Sequence, residues 1–130
     1  MGKNNQTIDV FYSGIVDTDN LDFSFVTHVS IPNANGTNRN KVELKTPSLA
    51  FSVDGTRFAT GTNDGVVSVW DIRSKIPLKV LEVDVPLPKH VPLSPYIQFL
   101  QFSSGIFGRE VLVFTAEVSR YFTQNFLLTS

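Results

Sequence analysis

The sequence predicts an all-β fold built from antiparallel sheets. Short runs of β-branched and aromatic residues recur along the chain, separated by clusters of Gly, Pro, Asn, Asp and Ser, which is the pattern of strands joined by turns. No apolar pattern with the 3.6-residue period of a helix continues past the frequent Gly and Pro. In one run, Ile97 and Phe99 are expected on one face and Leu100 and Phe102 on the other. Such a strand is apolar on both faces, so we expect stacked sheets or the central sheet of a layered domain.

The first two predicted strands, residues 8–13 and 23–31, form a hairpin. Turn-forming residues at positions 17–20 lie between them. A polar connector at residues 32–47 follows, with two prolines, four asparagines and a glycine. We expect this connector to be an exposed loop, apart from a short strand at residues 42–44.

Residues 48–83 have the most regular pattern of the chain. Asp54-Gly55 and Asn63-Asp64-Gly65 are strong signals for tight turns, because glycine adopts the positive φ that such turns require. A polar turn at residues 73–75 comes before the last strand of this segment. The pattern predicts an antiparallel meander of four strands, at Ser48–Val53, Arg57–Thr62, Val66–Asp71 and Pro77–Val83.

A proline-rich connector at residues 84–95 opens the C-terminal part. It holds four of the seven prolines, and proline cannot donate a hydrogen bond to a sheet, so we expect a loop. Three further strands are predicted after it, at residues 97–103, 111–116 and 121–128.

The composition excludes several classes of function. The chain has 130 residues, 11 basic and 12 acidic side chains, two His and no Cys. This charge balance gives no electrostatic reason to bind nucleic acid or an anionic membrane. Disulfides, thiol catalysis and Cys-ligated zinc are excluded, and two distant His do not predict another metal site. No apolar run reaches the ~18 residues of a membrane helix and the first residues do not resemble a secretory signal, so we expect an intracellular protein, cytoplasmic or nuclear.

Residues 49–73 contain a specific motif. They read LAFSVDGTRFATGTNDGVVSVWDIR: a strand ending before an Asp-Gly turn, a strand of small residues, a second Asp-Gly turn, and a strand ending in Trp-Asp. With residues 75–81 as a fourth strand, this segment resembles a WD40 repeat, the four-stranded blade of a β-propeller. Val53 stands where the family commonly has proline. The resemblance implies structural roles for seven motif residues: Asp54, Gly55, Thr60, Asp64, Gly65, Trp70 and Asp71.

The resemblance also implies a hydrogen-bond network around Trp70. In the family the indole N–H of this Trp donates to a strand hydroxyl, here Thr60, which a His links to a turn aspartate, here Asp64. The His belongs in a Gly-His pair ahead of the first strand, where this chain has Lys41 and Val42. We therefore expect the network to be incomplete.

The blade count implied by the resemblance is small. Residues 8–31 resemble the end of a preceding blade, residues 48–83 a complete blade, and residues 96–128 part of a following one. We expect a single partial propeller unit of about two blades, whereas propellers close with about 4–8. Uncovered blade faces would favour self-association. One alternative is therefore a truncated or divergent fragment of a larger WD40 protein, without independent function.

The function implied by the resemblance is a non-enzymatic scaffold that binds other proteins or peptides. Family members bind partners at one end of the propeller, formed here by residues 32–47, 63–65 and 84–95. No cofactor and no catalytic or metal-binding residue is predicted, since phosphate loops, serine elbows and ligand clusters are missing. A catalytic propeller fragment such as a hydrolase is the less favoured alternative, because it needs clustered carboxylates. The predicted partner contacts are Lys41, Asn63, Lys89, His90 and Tyr96.

Overall fold

A computed structural model of the chain describes residues 6–17, 20–33, 46–83, 95–104, 109–118 and 121–129. This part of the chain contains nine strands and no helix, so it holds no helix that could cross a membrane. The prediction of an all-β fold is confirmed. The strands are β1 (Thr7–Asp17), β2 (Asn20–Ser30), β3 (Ser48–Phe51), β4 (Arg57–Gly61), β5 (Val66–Asp71), β6 (Lys79–Glu82), β7 (Tyr96–Ser104), β8 (Glu110–Val118) and β9 (Tyr121–Leu128).

The nine strands form three antiparallel sheets. Strands β1 and β2 make a two-stranded N-terminal sheet, β3 to β6 a four-stranded central sheet, and β7 to β9 a three-stranded C-terminal sheet. Neighbouring strands are consecutive in the chain, so each sheet is a simple meander. The four-strand meander predicted for residues 48–83 is confirmed.

Several strands begin or end at other residues than predicted. The first hairpin is longer, since its pairing continues to Asp17 opposite Asn20. Strand β3 is shorter and ends at Phe51, because the Ser52 carbonyl already accepts the N–H of Gly55 in the following turn, at 3.0 Å. The structure does not describe residues 34–45, where a short strand was predicted, or residues 84–94.

The two middle strands of the central sheet have different side chains on their two faces. Cross-strand partners in an antiparallel sheet share a face. Phe58 lies opposite Trp70 and Thr60 opposite Ser68, which places these four residues on one face. The other face carries the alternate residues of the same strands, Ala59, Gly61, Val67 and Val69.

Both faces of β4 and β5 are buried against other sheets. Phe58 and Trp70 form a cluster with Val10 and Val29 of the N-terminal sheet, and their rings stack with centroids 5.7 Å apart. Residues of the opposite face join a larger cluster of the central and C-terminal sheets: Ala59, Val67, Val69, Val83, Ile97, Leu100, Phe102, Leu112, Phe114 and Ala116. The sheets are therefore stacked, with the central sheet between the other two.

Strand β7 differs from the predicted alternation. A register shift between Ile97 and Phe99 puts Ile97 in the buried cluster together with Leu100 and Phe102. A bulge of this kind adds one residue to one strand and so changes which face the following side chains occupy. Phe99 remains on the outer face, 48% exposed. The prediction that Ile97 and Phe99 share a face is therefore wrong.

A glycine permits the close approach of the central and C-terminal sheets. A Cβ atom added to Gly61 would lie 2.8 Å from the Cβ of Ile97 and 3.3 Å from the Cδ1 of Leu100. Such distances are below ordinary van der Waals contact. The absence of a side chain at Gly61 therefore allows β4 to pack directly on β7.

Candidate interaction site

The β4–β5 turn and the start of β7 meet at one end of the central sheet, which we call the turn end (residues 62–65, 83 and 95–97). The Ile97 N–H donates to the Thr62 carbonyl at 3.1 Å, and the Val83 N–H donates to the Gly65 carbonyl at 2.8 Å. Gly65 has a φ of 89°, and a Cβ added to it would lie 2.7 Å from the Cγ of Pro95. The chain leaving β6 and the chain entering β7 are thus both held against this turn.

A buried hydroxyl–carboxylate pair shapes the turn. The Thr62 hydroxyl donates to the Asp64 carboxylate, and the Thr62 Oγ1 accepts the N–H of Val66 at 3.0 Å. Asp64 is buried, so this carboxylate has a structural partner inside the turn. The sequence predicted a structural role for Asp64 and treated Thr62 only as a small strand residue, so the hydrogen bond between them was missed.

The preceding turn repeats the same arrangement of residue types. Ser52 lies two residues before Asp54, as Thr62 lies two residues before Asp64. The Ser52 hydroxyl donates to the Asp54 carboxylate at 2.8 Å and its oxygen accepts the Arg57 N–H at 3.0 Å. The signal for the missed threonine was therefore a hydroxyl residue two positions before each Asp-Gly pair.

Asp54 is exposed and strongly hydrogen-bonded. It accepts the N–H of Thr56 at 3.0 Å and the Thr56 hydroxyl at 2.7 Å. These bonds, followed by that from Ser52, lower the pKa of Asp54 to about 2. Gly55 completes this turn with a φ of 74°. Both residues hold the turn at the other end of the central sheet, which fits the structural role predicted for them.

Trp70 and Thr60 form the hydrogen bond that the motif implies. The indole Nε1 donates to the Thr60 Oγ1 at 3.3 Å, and both side chains are fully buried. Beside them lies Ser68, which is equally buried and whose Oγ has no hydrogen-bond partner among the described residues. The predicted incompleteness of the wider network stays a prediction, because Lys41 and its neighbours lie outside the described residues.

Two of the five predicted partner contacts lie at the turn end. Asn63 is at the tip of the β4–β5 turn and Tyr96 is the first residue of β7; both are half-buried and both make further polar or ring interactions. The Ile97–Thr62 hydrogen bond brings their backbones together. The other predicted contacts, Lys41, Lys89 and His90, lie outside the described residues.

The opposite end of the central sheet is tied to the C-terminal sheet by an arginine. The Arg57 Nη1 donates to the Thr129 carbonyl at 2.8 Å and lies 3.9 Å from the Glu110 carboxylate. Asp71, another motif residue, accepts the N–H of Arg73 at 2.9 Å and so closes the turn that follows β5. These polar groups are engaged in holding the sheets and turns.

Among the described residues, no three His, Asp or Glu side chains are grouped as ligands for a metal ion.

Comparisons with known proteins gave no match to this chain, whether with family models, curated proteins or solved structures.

Proposed function

We propose that the chain is a WD40-type interaction module that binds other proteins or peptides without catalysing a reaction. The observation that supports this most strongly is the central sheet. It is a four-stranded meander in which Trp70 donates to Thr60, and it lies between two further sheets. Stacked four-stranded meanders are the building principle of a β-propeller.

The turn end is the proposed contact surface. The Thr62–Asp64 pair and the contact of Gly65 with Pro95 hold its backbone in one conformation. A pre-ordered surface binds with less loss of conformational entropy than a mobile one. Asn63 offers an amide that can donate and accept hydrogen bonds. Tyr96 offers a phenol ring, and aromatic residues are enriched in binding surfaces.

This proposal is tested by selecting peptides that bind the chain from a random library. The affinity of the selected peptides is then measured by calorimetric titration. We expect Asn63→Ala and Tyr96→Ala to weaken binding by about fivefold or more, since contact residues at an interface centre contribute over about 1 kcal/mol. Arg73→Ala, at the other end of the sheet, is the matched control and should bind as the wild type does. Selected peptides that bind all three variants equally would overturn the assignment of the turn end. A specific hydrolytic activity abolished by Asp64→Asn would favour the catalytic alternative.

Self-association belongs to the same proposal. Phe99, Phe126 and Leu128 lie on the outer face of the C-terminal sheet, where Phe126 is 68% exposed. Exposed apolar groups of this size favour association. Light scattering across a range of protein concentrations should show a mass that rises above that of one chain; a constant monomer mass would contradict this part of the proposal.

A further inference from the structure

Strand β6 is an exposed edge of the central sheet. It pairs with β5 and ends the strand order of that sheet, and all four of its residues are exposed. In the buried cluster between the central and N-terminal sheets, the only central-sheet strands represented are β4 and β5. Strand β6 contributes no residue to this cluster. An edge strand can accept another extended segment, because its outward N–H and C=O groups are available for pairing.

The pairing with β5 determines which groups of β6 point outward. The Val83 N–H donates to the carbonyl of Gly65, the residue directly before β5, and Leu81 lies opposite Val67 in the same register. Alternate residues of an antiparallel strand bond to the same neighbour. Val83 and Leu81 therefore bond toward β5, whereas Val80 directs its N–H and C=O away from the sheet.

The exposed side chains along this edge are apolar and basic except for Glu82, the last residue of β6, which shares a face with Val80 and not with Lys79. Val80 is 51% exposed and Ile76, just before the strand, is 75% exposed. Lys75 and Lys79 are exposed as well, and the Lys79 ammonium donates to the Leu128 carbonyl, which holds it at the start of the strand. An ammonium group has three donors, so two remain for a partner.

A second copy of β6 is a poor complement to this edge. A two-fold axis at Val80 would pair the two Val80 residues and place each Lys79 opposite a Leu81, since residues equally far from the axis face each other. An axis at Leu81 would place each Lys79 opposite a Val83. Neither register brings a carboxylate to Lys79, although opposite charges across a strand pair are stabilising.

We propose that the β6 edge binds an extended acidic segment of a partner protein, which adds to the central sheet as a fifth strand. Carboxylates of the segment lie beside Lys75 and Lys79, and an apolar residue lies against Val80. The backbone of the segment pairs with the outward N–H and C=O of Val80. Main-chain pairing supplies affinity and the side chains supply selectivity in this mode of recognition. The site is separate from the turn end, so each assignment can fail without the other.

The probe is a fluorescently labelled nine-residue peptide of alternating Val and Glu, titrated against the whole chain and followed by anisotropy. A peptide with Lys in place of Glu is the matched control. We expect the acidic peptide to bind at least about tenfold more tightly than the basic one, and more weakly as salt is raised, because salt screens exposed charges. Equal binding of the two peptides, or no binding of the acidic one, would overturn the proposal.

Two further measurements locate the bound peptide. Val80→Pro removes the outward N–H and leaves the hydrogen bonds to β5 in place. It should weaken peptide binding by about tenfold, because the bond from Val80 to the peptide is lost and the adjacent peptide bonds are weakened. Val80→Thr keeps the N–H and should change binding much less. In the unchanged chain, bound peptide should slow hydrogen exchange of the Val80 amide and leave that of Leu81 unaltered. Unaltered exchange at Val80 in the presence of bound peptide would refute the site even if the proline variant failed to fold.

Discussion

The Thr60–Trp70 hydrogen bond gives the sharpest prediction about stability. Thr60→Val keeps the shape of the side chain and removes the acceptor of the indole N–H, which is 3.3 Å away. Since both residues are fully buried, the N–H is left without its partner. An unsatisfied buried donor costs about 1–3 kcal/mol, and the length of this bond favours the lower half of that range, about 1–2 kcal/mol.

Ser68→Ala is the matched control for this variant. Ser68 lies directly opposite Thr60 on the same face and is equally buried, but its Oγ has no hydrogen-bond partner among the described residues. Removing an unpaired buried hydroxyl releases its desolvation cost. We therefore expect Ser68→Ala to leave the free energy of unfolding unchanged or to raise it.

Urea unfolding followed by fluorescence measures both effects, because Trp70 is the only tryptophan and lies beside both sites. With an m-value of about 2 kcal/mol/M, the middle of the usual range, Thr60→Val should lower the urea midpoint by about 0.5–1 M. Thr60→Ser, which retains an acceptor, should restore part of the loss. Equal destabilisation by Thr60→Val and Ser68→Ala would refute the reasoning, because it would mean that the indole bond contributes nothing beyond packing.

Three further predictions concern the turns and the sheet contact. Gly61→Ala should lower the free energy of unfolding by about 1–3 kcal/mol, since the added methyl group overlaps the C-terminal sheet; an unchanged urea midpoint would contradict this packing. Gly65→Ala should destabilise more than Gly55→Ala, because both have positive φ but only Gly65 also meets Pro95; the two thermal midpoints check this, and equal losses would rule out the Pro95 contact. The pKa of Asp54 is lowered to about 2, so its contribution to stability is complete above its ordinary value of 3.8 and disappears as the pH falls through about 2; an acid titration of unfolding should become flatter in Asp54→Asn, and an unchanged acid limb would contradict this assignment.

The strands of the central sheet were predictable because local chemistry determines them. The turns at Asp54-Gly55 and Asp64-Gly65 need the positive φ that both glycines adopt. Short apolar runs bounded by such turns are typical of strands. The pair of Trp70 with Thr60 followed from a motif with fixed offsets, and cross-strand register then places both on one face.

The parts that sequence reasoning missed depend on contacts between distant residues. The Ser48 hydroxyl donates to the Ile97 carbonyl at 2.8 Å, and Arg57 donates to the carbonyl of Thr129; no local pattern indicates either pair. The bulge near Ile97 was not predicted for a related reason. A single inserted residue reverses the alternation of faces, and its energetic benefit comes from the buried cluster that Ile97 joins rather than from β7 itself.

The boundaries of the first hairpin were also set by pairing. Residues 14–17 and 20–22 include polar residues and a glycine, which alone do not predict a strand. In the structure they continue the ladder to Asp17 opposite Asn20. The ladder is formed by backbone N–H and C=O groups, so it can continue through polar residues and glycine as long as the two strands remain adjacent.

The central claim is that the middle strands of the central sheet are buried between two other sheets, and nuclear Overhauser effects test it most directly. We expect cross-peaks from the Trp70 indole to methyl groups of Val10 or Val29, since these residues share one cluster. In the same spectrum, Val69 methyl groups should give cross-peaks to ring protons of the C-terminal sheet, such as those of Phe114. A spectrum with both sets would support stacked sheets. Cross-peaks to only one of the flanking sheets would contradict the account.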